Sequence, residues 1–421
     1  MIPEPMRRAA VALLSGLATA SAAAATLTIS CGSSAADLAL CAPYAEAWGR
    51  AHGHTIRIYT TPASTTDHLA LLRQRFAARS PDLDVLMVDV VWPGIVKDHL
   101  LDLKPHSRGA EAAHFPAIVA NNTVDGRLLG MPWFTDAGLL YYRRDLLDRH
   151  GLKPPTTWDE LASAARTVVA TERAAGRADF QGFVFQGKAY EGLTCNALEW
   201  VHSFGGGPIV DAQGRITIDN PRAARALDTA AGWIGSIAPQ GVLNYAEEDA
   251  RGVFQRGQAL FMRNWPYAWS LTQAPDSPVR GRVGVMRLPA GTGGSSASSL
   301  GGWQLAVSKY SLHPAEAASL VMHLTGTAVQ KRRAIEGSFN PTLVALYQDP
   351  EVLAANPFMG ELLGVFTSAV ARPAAVTGRR YPAVSSAFWE AAHAVMSGRA
   401  SGAAAVHKLQ ADLQRIRRRG W

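Results

Sequence analysis

Cysteine is scarce in this 421-residue chain, which has only Cys31, Cys41 and Cys195. No Cys or His pair has zinc-site spacing, so neither a metal nor another cofactor is expected. Long hydrophobic runs are missing as well. Beyond the N-terminus no apolar stretch approaches the roughly 18 residues of a membrane-spanning helix, so the mature chain is expected to be soluble. Charge is sparse at 18%, and the net surplus of +7 is scattered. Its densest runs, Lys331-Arg332-Arg333 and Arg415-Ile416-Arg417-Arg418-Arg419, read as solvated helix ends. A nucleic-acid interface needs a concentrated basic face, so no nucleic-acid partner is expected. No G-x-S-x-G, H-E-x-x-H or P-loop supports hydrolase, protease or nucleotide chemistry. No internal repeat is visible, and 38 Gly and 24 Pro are ordinary usage. At 48% hydrophobic residues, the chain can bury two or three ordinary cores.

The N-terminus carries its own pattern. Arg7-Arg8 precede the short apolar core Ala9-Ala10-Val11-Ala12-Leu13-Leu14, and small residues follow over Ala20-Ser21-Ala22-Ala23-Ala24-Ala25. This order reads as a secretory signal peptide over residues 1–25, cleaved near Ala24 or Ala25, with Met6 as an alternative start. The competing reading is an Ala-rich tail. Cys31 follows no Leu-Ala-Gly lipobox, so a lipid anchor is not expected. Export implies oxidising conditions. Cys31 ends the first expected strand and Cys41 lies ten positions on in the next helix, so a Cys31–Cys41 disulfide is expected, leaving Cys195 a buried free thiol.

Periodicity gives the coarse architecture. Thr26–Ser30, Thr55–Tyr59 and Asp84–Asp89 read as strands, with helices over Asp37–His52 and Asp67–Arg79 between them. A β-α-β-α-β opening implies a parallel sheet covered by helices. Leu128–Phe134 and Leu139–Arg143 are extended runs, as expected of a crossing between domains. Thr157 and Glu160 form a capping box for a helix. Strands follow at Gly182–Phe185 and Val283–Met286, with helices over Arg222–Ile237 and Tyr245–Arg256. Leu305–Ser308 precedes a helix at Pro314–Leu324, and Pro382–Arg418 reads as two helices.

The stretch Met262-Arg263-Asn264-Trp265-Pro266-Tyr267-Ala268-Trp269 follows the buried run Ala259-Leu260-Phe261. Trp265 and Tyr267 therefore fall at or just past the carboxyl end of a strand, where open α/β sheets bind ligands. Ser299-Leu300-Gly301-Gly302-Trp303 sets another Trp after two glycines, where backbone can approach a ligand closely. Apolar faces with polar rims suit a sugar ring. The competing reading is that these aromatics are core.

Several segments together resemble the extracellular solute-binding proteins of ABC sugar importers. Two are Phe134-Thr135-Asp136-Ala137-Gly138-Leu139-Leu140-Tyr141-Tyr142-Arg143-Arg144-Asp145-Leu146-Leu147 and Pro154-Pro155-Thr156-Thr157-Trp158-Asp159-Glu160-Leu161. The trehalose/maltose-binding branch is resembled by Asp89-Val90-Val91-Trp92-Pro93-Gly94, Gln186-Gly187-Lys188-Ala189-Tyr190-Glu191-Gly192-Leu193, Arg263 to Trp269 and Leu300-Gly301-Gly302-Trp303. The resemblance spans essentially the whole mature chain. It implies a type II periplasmic-binding-protein fold: two α/β lobes, each a mainly parallel sheet with flanking helices, joined by three crossings around a ligand cleft. The expected N-terminal lobe is 26–134 plus 285–335, and the C-terminal lobe is 135–284 plus 336–421.

Position by position, the resemblance makes Asp37 and Asp89 first-lobe acceptors of sugar hydroxyls and Asp136 the hinge-side carboxylate. Phe134 stands where the family commonly has Tyr, so it can stack but not hydrogen-bond. Trp265 and Tyr267 become the second-lobe platform, Trp303 faces it beside Gly302, and Arg372 becomes a second-lobe cation reaching hydroxyls. His68 stands where the branch can carry Arg. Ser34, Tyr190 and Glu191 are secondary candidates. Each residue has a plainer alternative: Asp89 as a helix cap, Asp136 in a surface turn, Arg372 in a surface ion pair. Chemically, carboxylates accept from hydroxyls in charge-assisted bonds and Arg donates as a fixed fork.

The expected function is that of a monomeric periplasmic component that binds a disaccharide, trehalose or maltose, by cleft closure and delivers it to an inner-membrane ABC permease. The competing readings are a secreted glycosidase using Asp89, Asp136 or Glu191 as an acid/base pair, and a binder of anionic surfaces.

Overall fold

The computed structural model describes residues 24–361 and 363–421. The signal-peptide assignment falls almost wholly on residues 1–23, outside the described residues. Among the described residues no helix is long and apolar enough to cross a membrane.

Among the described residues eleven strands form two sheets and a small hairpin. In the first sheet the order is β2-β1-β3-β11-β6, where β1 is Thr26–Ser30, β2 Thr55–Tyr59, β3 Val85–Asp89, β6 Met131–Ala137 and β11 Leu300–Val307. The hairpin is β4 (Thr123–Val124) with β5 (Arg127–Leu128). In the second sheet the order is β10-β7-β9-β8, where β7 is Leu139–Arg143, β8 Gln181–Val184, β9 Ala259–Asn264 and β10 Val283–Arg287.

Each sheet has one reversed strand. β1, β2 and β3 pair in parallel, and β11 is antiparallel to both β3 and β6. In the second sheet β8 is parallel to β9, while β7 is antiparallel to β9 and β10. The reversed strands, β11 and β7, are those by which the chain enters a lobe from the other one. All remaining carboxyl ends therefore point at the space between the lobes.

The crossings differ from the expected boundaries at 134/135, 284/285 and 335/336. β6 stays paired with β11 through Ala137, so the first crossing is at Gly138. β10 pairs with β7 through Arg287, so residues 285–287 belong to the second sheet and the next crossing lies within 288–299. Asn340 and Leu343 bridge to Thr135 and His114, which keeps the chain on the first lobe past residue 336. The proline and glycine signals marked the neighbourhood, but strand pairing set the boundary.

The expected helix over Asp37–His52 is two helices, Ala35–Ala39 and Ala42–His52. Pro43 lies in the first turn of the second, where its missing N–H costs nothing; inside one continuous helix it would break the ladder. The capping box at Thr157 and Glu160 forms as expected. Apolar side chains pack on both faces of each sheet, with Trp158, Trp200 and Trp233 clustered in the second lobe.

Candidate ligand-binding cleft

A cavity of ≈ 390 Å³ opens where the strand ends of the two lobes meet. The first lobe lines it with Ser34, Asp37, Asp89, Phe134, Asp136, Gly302 and Trp303. The second lobe supplies Glu191, Trp265 and Tyr267, and Arg372 reaches in from the connecting segment. Thus eleven residues expected at the site come together from segments far apart in sequence.

Ser34 and Asp37 lie inside the loop closed by the Cys31–Cys41 disulfide. Ser34 Oγ donates to Asp37 Oδ2 at 2.7 Å and accepts from the Asp37 N–H at 3.0 Å. Asp89 ends β3, directly opposite Trp303 on β11. Gly302 sits at φ +122, and a Cβ there would lie 2.6 Å from the Phe134 carbonyl. Only glycine lets β11 approach β6 this closely, one residue before Trp303.

Trp265 follows the end of β9. Its ring lies over the Arg263 guanidinium, 3.9 Å from carbon to ring centroid. Arg263 is held in turn by Glu199, with Nε donating to Oε2 at 2.9 Å and Nη2 to Oε1, and by Gln186 Oε1 at 3.0 Å. Tyr267 donates from its hydroxyl to Glu248 at 2.6 Å and stacks on Phe339. Both rings are half-buried, as is Trp303, so none of the three is wholly core.

The cavity is acidic although the chain is basic. Asp37, Asp89, Asp136, Glu191, Glu247, Glu248 and Asp249 line it against Lys188 and Arg372. The sequence reading missed Glu247, Glu248 and Asp249. Their signal was three acids in the first turn of the helix Glu247–Gln255, just before β9, where they also suit the helix dipole. Burial pushes the Asp136 carboxyl well above the carboxylate range, and the Asp37 charge pushes it further, against the pull of Arg263. Burial also raises Asp37, offset in part by its Ser34 bond.

Two expected ligand contacts are corrected. His68 does not line the cavity; it is 1% exposed, stacks behind Trp303 at 5.9 Å and meets Trp92 edge-on at 5.1 Å. It shares its helix face with Leu72 and Phe76, four and eight positions on, so the helical period turns it inward. Burial lowers its pKa to about 4, so the ring is neutral at pH 7. Tyr190 is also buried behind the cavity, and its hydroxyl donates to Glu247, which does face it. Arg372 does reach the cavity, but its guanidinium is engaged by Asp89 Oδ1 at 3.0 Å and Glu191 Oε1 at 2.7 Å. Cys195 is the free, buried thiol, raised to about 12 by burial. Among the described residues no group of three or more His, Cys, Asp or Glu side chains is placed to hold a metal.

Comparison with known proteins agrees with this geometry. Residues 32–331 match the family model described as bacterial extracellular solute-binding protein. A Deinococcus radiodurans protein named "Probable ABC transporter-binding protein" is 52% identical over 406 residues, covering 96% of each chain. The maltose-bound MalE3 of T. maritima superposes with a TM-score of 0.89 at 40% identity, covering 93% of this chain and 100% of that one. The GacH receptor of Streptomyces glaucescens, solved free and with acarbose, shares the fold with a TM-score of 0.81 at 22% identity, covering 93% and 98%. With two lobes, a cleft at the strand ends and relatives that bind solutes rather than transform them, the chain belongs to the bacterial extracellular solute-binding protein family and is not an enzyme.

Proposed function

We propose that this chain is the periplasmic substrate-binding component of an ABC sugar importer. It takes a disaccharide, trehalose or maltose, by closing its lobes and delivers it to an inner-membrane permease. The carrying observation is that Trp265 and Trp303 come from opposite lobes to one cavity ringed by carboxylates. A sugar ring offers an apolar C–H face to each aromatic and hydroxyl donors to each acid. The cavity, ≈ 390 Å³, lies toward the small end of ligand pockets, which run from about 300 to 1,000 Å³. The relative at 40% identity is bound to maltose, which supports an α-linked glucose disaccharide. On this reading residues 1–25 export the chain, which works as a monomer without a lipid anchor. Ser34, Asp37, Phe134, Asp136, Gly302, Trp303, Trp265 and Tyr267 meet the sugar.

A thermal-shift and calorimetry panel of trehalose, maltose, sucrose and glucose tests this. A ligand at about 100 times its Kd should stabilise the protein by about 2.7 kcal/mol. A shift with trehalose or maltose and none with glucose is the expected result. Silence across the disaccharides would reject the proposal.

A further inference from the structure

The two halves of the cleft rest on buried arginines that are built differently. Under Trp265, Arg263 is paired with Glu199. Behind the first-lobe wall stands Arg333, on the helix Thr327–Gly337, 1% exposed and one layer back from the cavity. Its guanidinium carbon lies 3.9 Å from the Trp133 ring centroid, 4.2 Å from that of Phe339 and 5.3 Å from that of Phe134. Phe134 and Phe339 line the cavity. Arg333 Nη1 donates to the Leu40 carbonyl at 2.7 Å. Leu40 closes the short helix Ala35–Ala39, which carries Asp37, and precedes Cys41 of the disulfide. Among the described residues Arg333 Nε and Nη2 have no hydrogen-bond partner, and no carboxylate is in direct contact with the guanidinium. Burial lowers its pKa to about 10, against the pull of Asp37, Tyr44 and Asp136, so it is charged at pH 7. A buried charge without a direct partner is costly, and an apolar side chain of like volume is often as stable in its place. Contact with the rings offsets part of that cost. Stability alone therefore does not account for an arginine here.

We infer that Arg333 is a positioning residue for the first-lobe half of the cleft: from behind the wall it ties the Asp37 loop to Phe134 and Phe339 and supplies the buried positive charge that Asp37 and Asp136 share. Other charges face the two carboxyls. Asp37 meets the Ser34 hydroxyl and the field of Glu248, from the helix Glu247–Gln255. Asp136 meets the fields of Asp37, of Arg263 on β9 and of Asp89 on β3, which is itself bound to Arg372. Tyr44, on the helix Ala42–His52, faces the guanidinium. Arg333 is the cation common to both carboxyls. An ionised carboxylate is a stronger acceptor of hydroxyl hydrogen bonds than a protonated one. Without the charge of Arg333 both carboxyls should titrate at higher pH, and sugar binding should fail at higher pH with them. The effect on sugars rests on the sugar-binding reading above; the effect on the carboxyls does not.

The test uses the full mature chain and three variants. Arg333→Met removes the charge and leaves nothing polar buried, and Arg333→Gln removes the charge but keeps a donor for Leu40. Arg333→Lys keeps a charge but removes the fork. Carbon-13 NMR titration of the carboxyl groups in the sugar-free protein, with signals assigned through Asp37→Asn and Asp136→Asn, should show both midpoints raised in the neutral variants and raised less in Arg333→Lys. Calorimetry with maltose from acid to neutral pH should show a loss of affinity in the neutral variants that grows as pH falls, by about tenfold for each unit the midpoints move. Unchanged midpoints in the neutral variants overturn the proposal, as does an affinity loss that is equal at every pH. Failure of both neutral variants to fold overturns it too, because the charge would then serve the fold rather than the cleft. If wild type binds neither maltose nor trehalose, the sugar reading fails while the carboxyl titration still decides the role of Arg333.

Discussion

Arg263 supports Trp265 from below, with its guanidinium carbon 3.9 Å from the ring centroid. The same guanidinium is paired with Glu199, and both side chains are 1% exposed. Ser299, in the second crossing, donates its N–H to Glu199 Oε1 at 3.0 Å. A Cβ on Gly138, at the first crossing, would lie 2.0 Å from that same oxygen. The ion pair beneath the aromatic platform therefore also seats two of the connections between the lobes.

Breaking that pair should be severe. Arg263→Met leaves Glu199 buried and alone, with an expected loss of roughly 3–5 kcal/mol in unfolding free energy. Arg263→Met with Glu199→Leu should recover part of it, because no single buried charge remains. Denaturant unfolding of the single and double variants measures this. Equal losses in both would show that the ring contact, not the charge, dominates.

Removing either platform should cost binding more than folding. Trp265 and Trp303 are half-buried and line the cavity, so truncation to Ala should weaken disaccharide binding by about 2–3 kcal/mol. His68→Phe should weaken it far less, because His68 sits behind Trp303. Calorimetric affinity paired with a denaturation midpoint decides between cleft and core. Lost stability with unchanged affinity would return Trp265 and Trp303 to the core.

The disulfide should matter to the cleft as well as the fold. Thiol counting on unfolded, unreduced protein should give one free thiol, from Cys195; three would refute the bridge. Cys31→Ala with Cys41→Ala should lower stability by about 2–4 kcal/mol. It should also weaken disaccharide binding, since Ser34 and Asp37 lie within the loop the bridge closes. Full affinity in the double variant would show that the capping box between Ser34 and Asp37 suffices to hold the loop.

Asp136 should give the free protein a pH dependence of definite sign. Its folded carboxyl titrates well above the ordinary range, chiefly through burial and then through Asp37. In the unfolded chain it should titrate near ~3.9. The folded state then holds the proton more tightly, so this group's contribution is complete below about pH 4 and is lost as pH rises through the folded value. Asp136→Asn removes that loss. Its Tm should exceed wild type at neutral pH and converge with it near pH ~4, while its sugar affinity falls. A Tm difference independent of pH would mean that the carboxyl is not strained by its surroundings.

Much of the fold could be read from local pattern. β1 and β2 lie on the residues that alternation marked, and the capping box at Thr157 starts its helix as expected. The position of Trp265 just past β9 followed from the buried run Ala259-Leu260-Phe261 ahead of it. These features depend on residues within one turn or one strand of each other, where side-chain period and backbone chemistry are set directly by sequence. The resemblance added long-range placement, and eleven of the thirteen residues named for the site or as secondary candidates do line the cavity.

Sequence by itself thus marked most of the larger strands and helices, the disulfide partners and the aromatic residues on which the cleft is built. Only the tertiary structure decided which polar groups are left free to meet a ligand. Arg372 finds Glu191 181 positions away and Asp89 283 positions away, distances over which no spacing rule operates. Glu247 to Asp249 lay unremarked inside the helix expected over Tyr245–Arg256, and only the fold brings them to the cavity wall. His68 looked available until its helix packed that face against Trp92 and Trp303. Whether a charged side chain is spent on a neighbour or offered to solvent depends on the sum of contacts from separate segments, and that sum exists only once the chain has folded.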